Sequence, residues 1–201
     1  MDFWWLVPIA YLVGGIPWGL LIVKSVLRVD VRDYGSGTTG ATNVLRTAGK
    51  GPALLTLAGD AVKAVVMVVL AQLLTGTDAV HASVALAVIA GHIWPVWAGF
   101  HGGKGLVTGA AAAGALIPLA GLVGAAVFVT IVALTRYVSV GSVVGVFAVA
   151  VAHTVLYLAG VYPGPYLAFA WAGGLLIAAA HHGNVVRLLR GTERRLGERA
   201  D

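Results

Sequence analysis

The sequence predicts an all-α protein, a polytopic bundle of transmembrane helices, most simply seven helices with short, tilted ones at the centre. Three observations support this. Of the 201 residues, 59% are hydrophobic and 10% are charged, whereas a soluble domain carries about 25% charged residues. The apolar residues form runs near the roughly 20 residues that one spanning helix needs. The basic residues lie almost entirely between those runs. Residues 1–201 therefore form a single membrane domain.

Six apolar runs divide the chain: Phe3–Val23, Ala53–Leu74, Val80–Trp97, Leu106–Leu134, Val138–Ala159 and Tyr166–Ala180. Only Asp2 separates the first run from the initiating methionine, and the basic region and small-residue cleavage site of a signal peptide are missing. The first run is thus expected to be retained as a helix. The sequence contains no cysteine, which excludes disulfide and thiolate chemistry.

The cations predict the topology. Lys63 alone lies inside an apolar run, and segments 75–79 and 160–165 contain no Lys or Arg. The positive-inside rule then places the cation-bearing segments in the cytoplasm and the other two loops outside. The remaining cations are Lys24, Arg28, Arg32, Arg46 and Lys50 in the first loop, Lys104 in the third, Arg136 in the fourth, and Arg187, Arg190, Arg194, Arg195 and Arg199 in the tail.

This assignment constrains the central run. Lys104 and Arg136 share a side only if Leu106–Leu134 crosses the bilayer twice. The run has 29 residues with Pro118 near its middle, so each arm is about 20 Å long, shorter than the roughly 30 Å hydrocarbon core. Two short, tilted helices give seven spans. One long helix would give six and place the arginine-rich tail outside.

The first polar loop, residues 35–46, is suited to an anion. Its glycines let backbone N–H groups converge, its hydroxyls add donors, and an arginine supplies a planar fork that fits phosphate. The candidate binding residues are Ser36, Gly37, Thr42, Asn43 and Arg46. Residues 35–42 superficially fit a nucleotide P-loop, but Ala41 occupies the lysine position and no strand precedes the loop. The alternative is a flexible polar connection between helices.

The second motif runs from residue 91 to residue 105. Gly102, Gly103 and Gly105 surround Lys104 and predict an anion-binding nest with a mobile point charge. Trp94 and Trp97 suit the membrane interface. The alternative is a helix–helix turn with a cytoplasmic lysine, because this motif alone has low specificity.

The third motif follows the last apolar run. His181 and Asn184 are three residues apart and share one helix face, with Arg187 nearly on that face and Glu193 beyond it. The alternative is an interfacial polar cap followed by arginines that bind anionic lipid, and this interpretation is preferred for residues 190–199.

Other polar groups support less specific expectations. Asp60 and Lys63 are spaced to pair with each other, and the sequence leaves open whether the pair is functional or structural. Ser142, with Arg136 and Ser139, is expected to line the same cytoplasmic pocket. His81 and His153 are interpreted as incidental. No cluster has the spacing of a metal site, and the net charge of +5 reflects topology rather than nucleic-acid binding.

Together the three motifs resemble the signature motifs of the bacterial acyl-phosphate:glycerol-3-phosphate acyltransferases, an integral membrane family. The resemblance covers the whole chain and includes the stretch from Arg136 to Ser142. The chain departs from the family pattern at three places: Thr38-Thr39 stands for the usual Asn-Pro, Ala64 for a glycine, and His101 for a common lysine.

The resemblance implies transfer of a fatty acyl group from acyl phosphate to the 1-hydroxyl of sn-glycerol 3-phosphate, giving lysophosphatidic acid and inorganic phosphate. It implies seven helices, an active site on the cytoplasmic face of the inner membrane, no metal or other cofactor, and a functional link to a soluble enzyme that makes acyl phosphate. Ser36, Arg46 and Lys104 would bind the glycerol phosphate, and the glycines at 102, 103 and 105 the acyl phosphate. Asn184 would stabilise the oxyanion and His181 orient the hydroxyl.

Two alternatives are disfavoured. The other glycerol-phosphate acyltransferase class uses an N-H-x-x-x-x-D motif, and no histidine here has an aspartate five residues later. A small membrane transporter for a phosphorylated solute would share cationic loops and broken helices. It would, however, be expected to place charge near the midplane and on both sides, whereas both outer loops here lack cations.

Overall fold

A computed structural model describes residues 3–198, so Asp2 and Arg199 lie outside the described range. Within it the chain is helical and contains no strand. The helices are α1 Leu6–Gly14, α2 Trp18–Leu27, α3 Ala41–Ala48, α4 Lys50–Leu74, α5 Asp78–Ile93, α6 Leu106–Leu116, α7 Pro118–Thr135, α8 Val138–Leu158, α9 Gly164–Ala180 and α10 His182–Leu189. Short 3₁₀ turns cover Phe3–Trp5, Val31–Asp33 and Val96–Ala98.

Five helical stretches within residues 3–198 are long and apolar enough to span a membrane: Phe3–Leu27, Lys50–Leu74, Asp78–Ala98, Pro118–Thr135 and Val138–Leu158. Leu106–Leu116 and Gly164–Ala180 are shorter apolar helices. The predicted all-α, multi-pass membrane architecture is confirmed.

The central run breaks at the predicted proline. Helix α6 ends at Leu116, and α7 begins at Pro118. Proline fits the first turn of a helix but cannot continue the preceding one, because it has no N–H to donate. The two arms are unequal, since α6 has 11 residues and α7 has 18, or about 17 and 27 Å. Only α6 is shorter than the predicted arm.

The first run, predicted as one helix, is interrupted between Gly14 and Trp18. Pro17 cannot donate to the helical ladder. The interruption lies where α1 crosses α5 closely: a Cβ on Gly14 would overlap the backbone of Val88, and one on Gly91 would overlap the Tyr11 carbonyl. Small residues let membrane helices approach in this way.

Helix α5 runs through the centre of the bundle, with Val84, Ala85 and Val88 fully buried. Helix α7 lies at the periphery and exposes Leu122, Val129 and others to the surroundings, as expected of a surface facing lipid. The first, third and fourth polar segments meet the tail at one end of the bundle. Thr39 donates to the Gly102 carbonyl over 3.3 Å, and Ser139 donates to Glu193 over 2.8 Å.

Candidate active site

A polar pocket of about 90 Å³ lies at this end of the bundle and gathers residues from all three motifs. Ten of the predicted site residues line it: Ser36, Thr42, Asn43, Arg46, Lys104, Gly105, Ser142, His181, Asn184 and Glu193. Gly37, Gly102 and Gly103 do not. Ser139, expected to line the pocket with Ser142, does so, whereas Arg136 does not. The wall also contains groups that the sequence did not assign to the site, among them Thr38, Asp60, His92 and Arg194. Segments far apart in sequence thus converge on one chamber.

Asn43 organises the first loop. Its amide nitrogen lies 2.9 Å from the Val31 carbonyl, 3.0 Å from that of Tyr34 and 2.9 Å from that of Thr38. Its Oδ1 accepts from the backbone N–H of Ser36 over 2.8 Å. The predicted substrate contact is therefore not the main task of this side chain, because its polar atoms are committed to holding the loop.

The rest of the first loop presents hydroxyls and a guanidinium. Ser36 Oγ lies 3.1 Å from Thr38 Oγ1, so a threonine at one of the departures from the family pattern braces the serine. Gly37 has φ +69°, a conformation that favours glycine, and its role is to turn the chain. Burial and the nearby charge of Arg194 lower the pKa of Arg46, although a guanidinium remains cationic.

In the second loop, the backbone N–H groups of two glycines bond within the protein and do not point at an anion as predicted. Gly102 N–H donates to the Ile93 carbonyl over 3.2 Å and Gly103 N–H to the His92 carbonyl over 3.1 Å. A Cβ on Gly102 would overlap the His92 carbonyl, and one on Gly103 would overlap the His92 imidazole. The expectation that their N–H groups form an anion nest is therefore wrong. These glycines dock the loop onto the end of α5.

Lys104 follows those glycines and faces the pocket, and Gly105 with φ +80° caps the start of α6. Burial, followed by the positive charge of Arg187, lowers the pKa of Lys104 to about 8. The first backbone N–H groups of α6 have no partner within their own helix, and a helix N-terminus favours anions. Leu106 and Val107 line the pocket here.

The third motif brings His181, Asn184 and Glu193 together. Glu193 accepts hydrogen bonds from Asn184 Nδ2 over 2.6 Å and Ser139 Oγ over 2.8 Å, and from Arg187 Nε over 2.8 Å. Burial raises the pKa of Glu193, but these hydrogen bonds outweigh it and hold that pKa below its usual value. Asn184 Oδ1 is buried with no hydrogen-bond partner within residues 3–198. Glu193 thus fixes the amide with its nitrogen toward the carboxylate.

His181 is held as a neutral ring. Its Nδ1 lies 2.8 Å from the Ile177 carbonyl, so Nδ1 carries the proton and Nε2 has a free lone pair. The side chain is buried, and burial lowers its pKa to about 4. His181 is therefore an acceptor at neutral pH, and it is too weak a base to keep a proton.

The tail folds back over the turn between α7 and α8. Leu196 N–H donates to the Arg136 carbonyl over 2.7 Å, and the Arg136 guanidinium donates to the Leu196 carbonyl over 2.7 Å. Arg195 stacks 5.3 Å from the centre of the Tyr137 ring. The preferred interpretation of residues 190–199 as lipid-binding arginines did not predict that Arg194 enters the pocket wall. For the other arginines of the tail it stays a prediction.

Asp60 and Lys63 form a buried ion pair of 2.8 Å, and each side chain is 3% exposed. His92 joins them, with Nδ1 3.1 Å from Lys63 Nζ. The sequence left open whether the pair is functional or structural. Because Asp60 and His92 line the pocket, the cluster is part of its wall.

An apolar cavity of about 470 Å³ adjoins the polar pocket. The two chambers share Ala41, Thr42, Leu106, Val107 and Val138. The cavity extends among α3 to α9, past Ala113, Val149 and Phe169. Sequence analysis did not find this cavity, because facing residues of seven helices form it and no local pattern marks them.

Comparisons with known proteins identify relatives over nearly the whole chain. The family described as "Glycerol-3-phosphate acyltransferase" matches residues 4–191. Glycerol-3-phosphate acyltransferase 3 of Dehalococcoides mccartyi is 41% identical over 207 residues, covering 96% of this chain and 95% of the relative. The Rubrobacter xylanophilus enzyme is 42% identical over 195 residues, covering 97% and 96%. The crystal structure of PlsY (YgiH), an integral membrane glycerol 3-phosphate acyltransferase in its glycerol 3-phosphate form, matches with a TM-score of 0.89 at 38% identity, covering 96% of this chain and 94% of that one. Its lysophosphatidic acid form matches with a TM-score of 0.85 at 36% identity.

Proposed function

The chain belongs to the glycerol-3-phosphate acyltransferase family, and from that premise we propose that it transfers a fatty acyl group from acyl phosphate to the 1-hydroxyl of sn-glycerol 3-phosphate. The products are lysophosphatidic acid and inorganic phosphate, the first acylation of phospholipid synthesis. One observation carries the proposal: a cationic pocket adjoins an apolar cavity, and the two share five lining residues. Such a pair of chambers suits two phosphate groups and one hydrocarbon chain.

The proposed membrane arrangement has seven crossings, with the five long helical stretches joined by Leu106–Leu116 and Gly164–Ala180. The pocket then faces the cytoplasm of a bacterial inner membrane, since its segments carry the cations. A cysteine replacing Thr192 should be protected from an impermeant thiol reagent in intact cells, and one replacing Thr77 should be labelled. Labelling at residue 192 contradicts this arrangement. A cytoplasmic site also suits delivery of acyl phosphate by a soluble enzyme.

The glycerol phosphate is placed beside Ser36, Arg46 and Lys104, which line one pocket wall. Arg46 provides a fork for two phosphate oxygens, Lys104 a point charge, and Ser36 a hydroxyl donor. The charge of Arg46 helps to lower the pKa of Lys104, so an anion between them relieves their repulsion. The glycerol 3-phosphate form of the PlsY relative supports this choice of substrate.

The acyl phosphate is placed across the junction of the two chambers. Its phosphate lies at the start of α6, where Gly105, Leu106 and Val107 face the pocket and free N–H groups favour an anion. Its hydrocarbon chain occupies the apolar cavity. The carbonyl carbon of the acyl phosphate then lies beside Thr42 and Val138, which line both chambers.

The reaction needs positioning and charge stabilisation more than a strong base, because acyl phosphate is already an activated mixed anhydride. The 1-hydroxyl donates to His181 Nε2 and attacks the carbonyl carbon, forming a tetrahedral intermediate. The second N–H of Asn184 Nδ2 donates to the developing oxyanion. The bond from the carbonyl carbon to the phosphate oxygen then breaks, which releases phosphate and leaves the new ester. The departing phosphate takes the proton that the hydroxyl had directed at His181, because phosphate has a pKa near 6 whereas the pKa of His181 is about 4.

The proposal is tested by assaying the purified protein with acyl phosphate and, separately, with acyl-coenzyme A, each with and without a chelator. Acyl phosphate should support lysophosphatidic acid formation in both conditions, with release of one phosphate per acyl group transferred. Equal or faster turnover with acyl-coenzyme A, or inhibition by the chelator, contradicts it. Movement of glycerol 3-phosphate across proteoliposomes without acylation would support the transporter alternative.

A further inference from the structure

His92 lies at the end of α5 beside an unusual lysine. Three acceptor atoms surround the Lys63 ammonium: the Ile16 carbonyl at 2.9 Å, Asp60 Oδ1 at 2.8 Å and His92 Nδ1 at 3.1 Å. An ammonium group has three protons and cannot accept a hydrogen bond. Lys63 therefore directs protons at the Ile16 carbonyl and at the imidazole, and Asp60 contacts it as an ion pair.

This arrangement fixes the tautomer of His92. Nδ1 lies 3.1 Å from Lys63 Nζ and 3.3 Å from Asp60 Oδ1. Because Nζ is the nearer atom and can only donate, Nδ1 accepts from Lys63 and the ring proton is on Nε2. Asp60 supplies the countercharge that a buried ammonium requires. With Nδ1 as an acceptor, the ring of His92 has its donor at Nε2.

That donor faces the polar pocket. His92 is 6% exposed and lines the pocket wall. Its Nε2 lies against Gly103, so closely that a Cβ there would overlap it. Within residues 3–198 Nε2 makes no hydrogen bond, and the bonds of His92 run through Nδ1 and its backbone. A donor that makes no bond within the protein is available to a ligand that enters the pocket.

We propose that His92 is a further substrate-binding residue, which donates a hydrogen bond from Nε2 to a phosphate oxygen of bound substrate beside Lys104, with Lys63 setting its tautomer. The inference rests on the proposed function, because it assumes a phosphate-bearing substrate in this pocket. It assigns the lysine, carboxylate and imidazole one joint task. It also explains why Gly103 has no side chain: a Cβ would displace the imidazole that carries the donor.

The first test separates the two ring nitrogens. Asparagine at residue 92 keeps an acceptor near the position of Nδ1 and lacks a donor near Nε2, whereas glutamine extends its amide N–H toward the position of Nε2. His92→Asn should raise KM roughly 10- to 100-fold for the substrate whose phosphate is bound, as expected for a bond to a charged acceptor. His92→Gln should recover most of that loss. Titrating each substrate at saturation of the other identifies which phosphate is contacted.

His81→Asn is the matched control, since His81 lies on the same helix at the opposite end and bonds to Tyr166. Both KM values should stay within twofold for this variant. An active wild-type protein whose KM values are unchanged in His92→Asn, or equally raised in His92→Asn and His92→Gln, overturns the inference. So does a lower kcat with both KM values unchanged. If the wild-type protein forms no lysophosphatidic acid at all, it is the proposed function that fails.

The second test reads the tautomer without activity. Nitrogen-15 NMR of histidine-labelled protein in micelles should show His92 with an unprotonated Nδ1 and a protonated Nε2, identified by the signals missing in His92→Asn. Adding glycerol 3-phosphate or inorganic phosphate should shift the Nε2 signal. In Asp60→Asn/Lys63→Met, which removes both buried charges together, the two tautomers should both be populated. A protonated Nδ1 in the wild-type protein overturns the assignment.

Discussion

Two polar clusters lie at opposite ends of helix α5 and use similar residues for different purposes. Near its start, His81 bonds to the Tyr166 hydroxyl at 2.9 Å and the Thr75 carbonyl at 2.8 Å, and Tyr166 donates to Asp78 over 3.1 Å. Both ring nitrogens of His81 therefore have partners inside the protein. Near the end of α5, His92 and the residues around it leave donors and acceptors open toward a cavity.

The two clusters differ in charge as much as in the number of hydrogen-bonding groups that lack a partner. His153 lacks partners within residues 3–198 for both ring nitrogens, yet it lines neither of the two chambers described above. In the pocket, by contrast, Arg46, Lys104 and Arg194 approach one another around Glu193. A folded protein gathers like charges at a cost, and a site that binds anions offsets that cost when it is filled. Open bonds, repelling cations and a cavity together mark this end as functional.

Among the changes that test this comparison, replacing Asn184 should have the largest effect on activity. Loss of one oxyanion donor costs about 10²–10³ in rate, so Asn184→Ala should lower kcat by that order with a smaller change in KM. Asn184→Asp should be no better, because it places a second carboxylate where the amide now lies 2.6 Å from Glu193. Steady-state kinetics with acyl phosphate measures both. Near-normal turnover of Asn184→Asp would show that the residue only packs the end of the last helix.

Arg46→Ala comes next. It removes a charge-assisted contact that is present before reaction, so KM for glycerol 3-phosphate should rise while kcat changes less. A bond to a charged group contributes about 1.5–3 kcal/mol, which corresponds to roughly 10- to 150-fold in KM. Arg46→Lys should recover part of the loss, since it restores charge without the fork. A fall in kcat with KM unchanged would move Arg46 from substrate binding to the chemical step.

The sequence predicted the elements better than their contacts. Cation parity and Pro118 located the break between α6 and α7. The three motifs named nine residues that share one pocket, and the stretch from Arg136 to Ser142 named a tenth, Ser142. It did not predict that Gly102 and Gly103 serve the packing of His92. Nor did it predict the apolar cavity. Periodicity and spacing report local structure, whereas these features depend on which helix faces which.

A smaller effect is expected from pH, because the pH dependence of kcat/KM reports the ionisation of Lys104 in the cationic pocket. The pKa of Lys104 is about 8 because burial and Arg187 disfavour its charge. The lysine is protonated below that value and loses its charge above it, so kcat/KM for glycerol 3-phosphate should be level below pH 8. Above pH 8 it should fall, by up to about tenfold per unit. Lys104→Arg should remove this decline, because arginine stays charged. A decline that persists in that variant would assign it to another group.

The smallest effect on catalysis should come from the opposite end, with Tyr166→Phe. The change removes the hydroxyl that links His81 to Asp78 and keeps the ring, which is 7% exposed. Loss of such a bond should destabilise the protein by about 1 kcal/mol, measured as a lower midpoint of thermal unfolding in one detergent. The values of kcat and KM should stay within twofold, because the polar groups there bond to one another and not to substrate. A change in kcat/KM as large as that of Arg46→Ala would show that the two ends are coupled, and the distinction between a self-satisfied end and an open one would no longer hold.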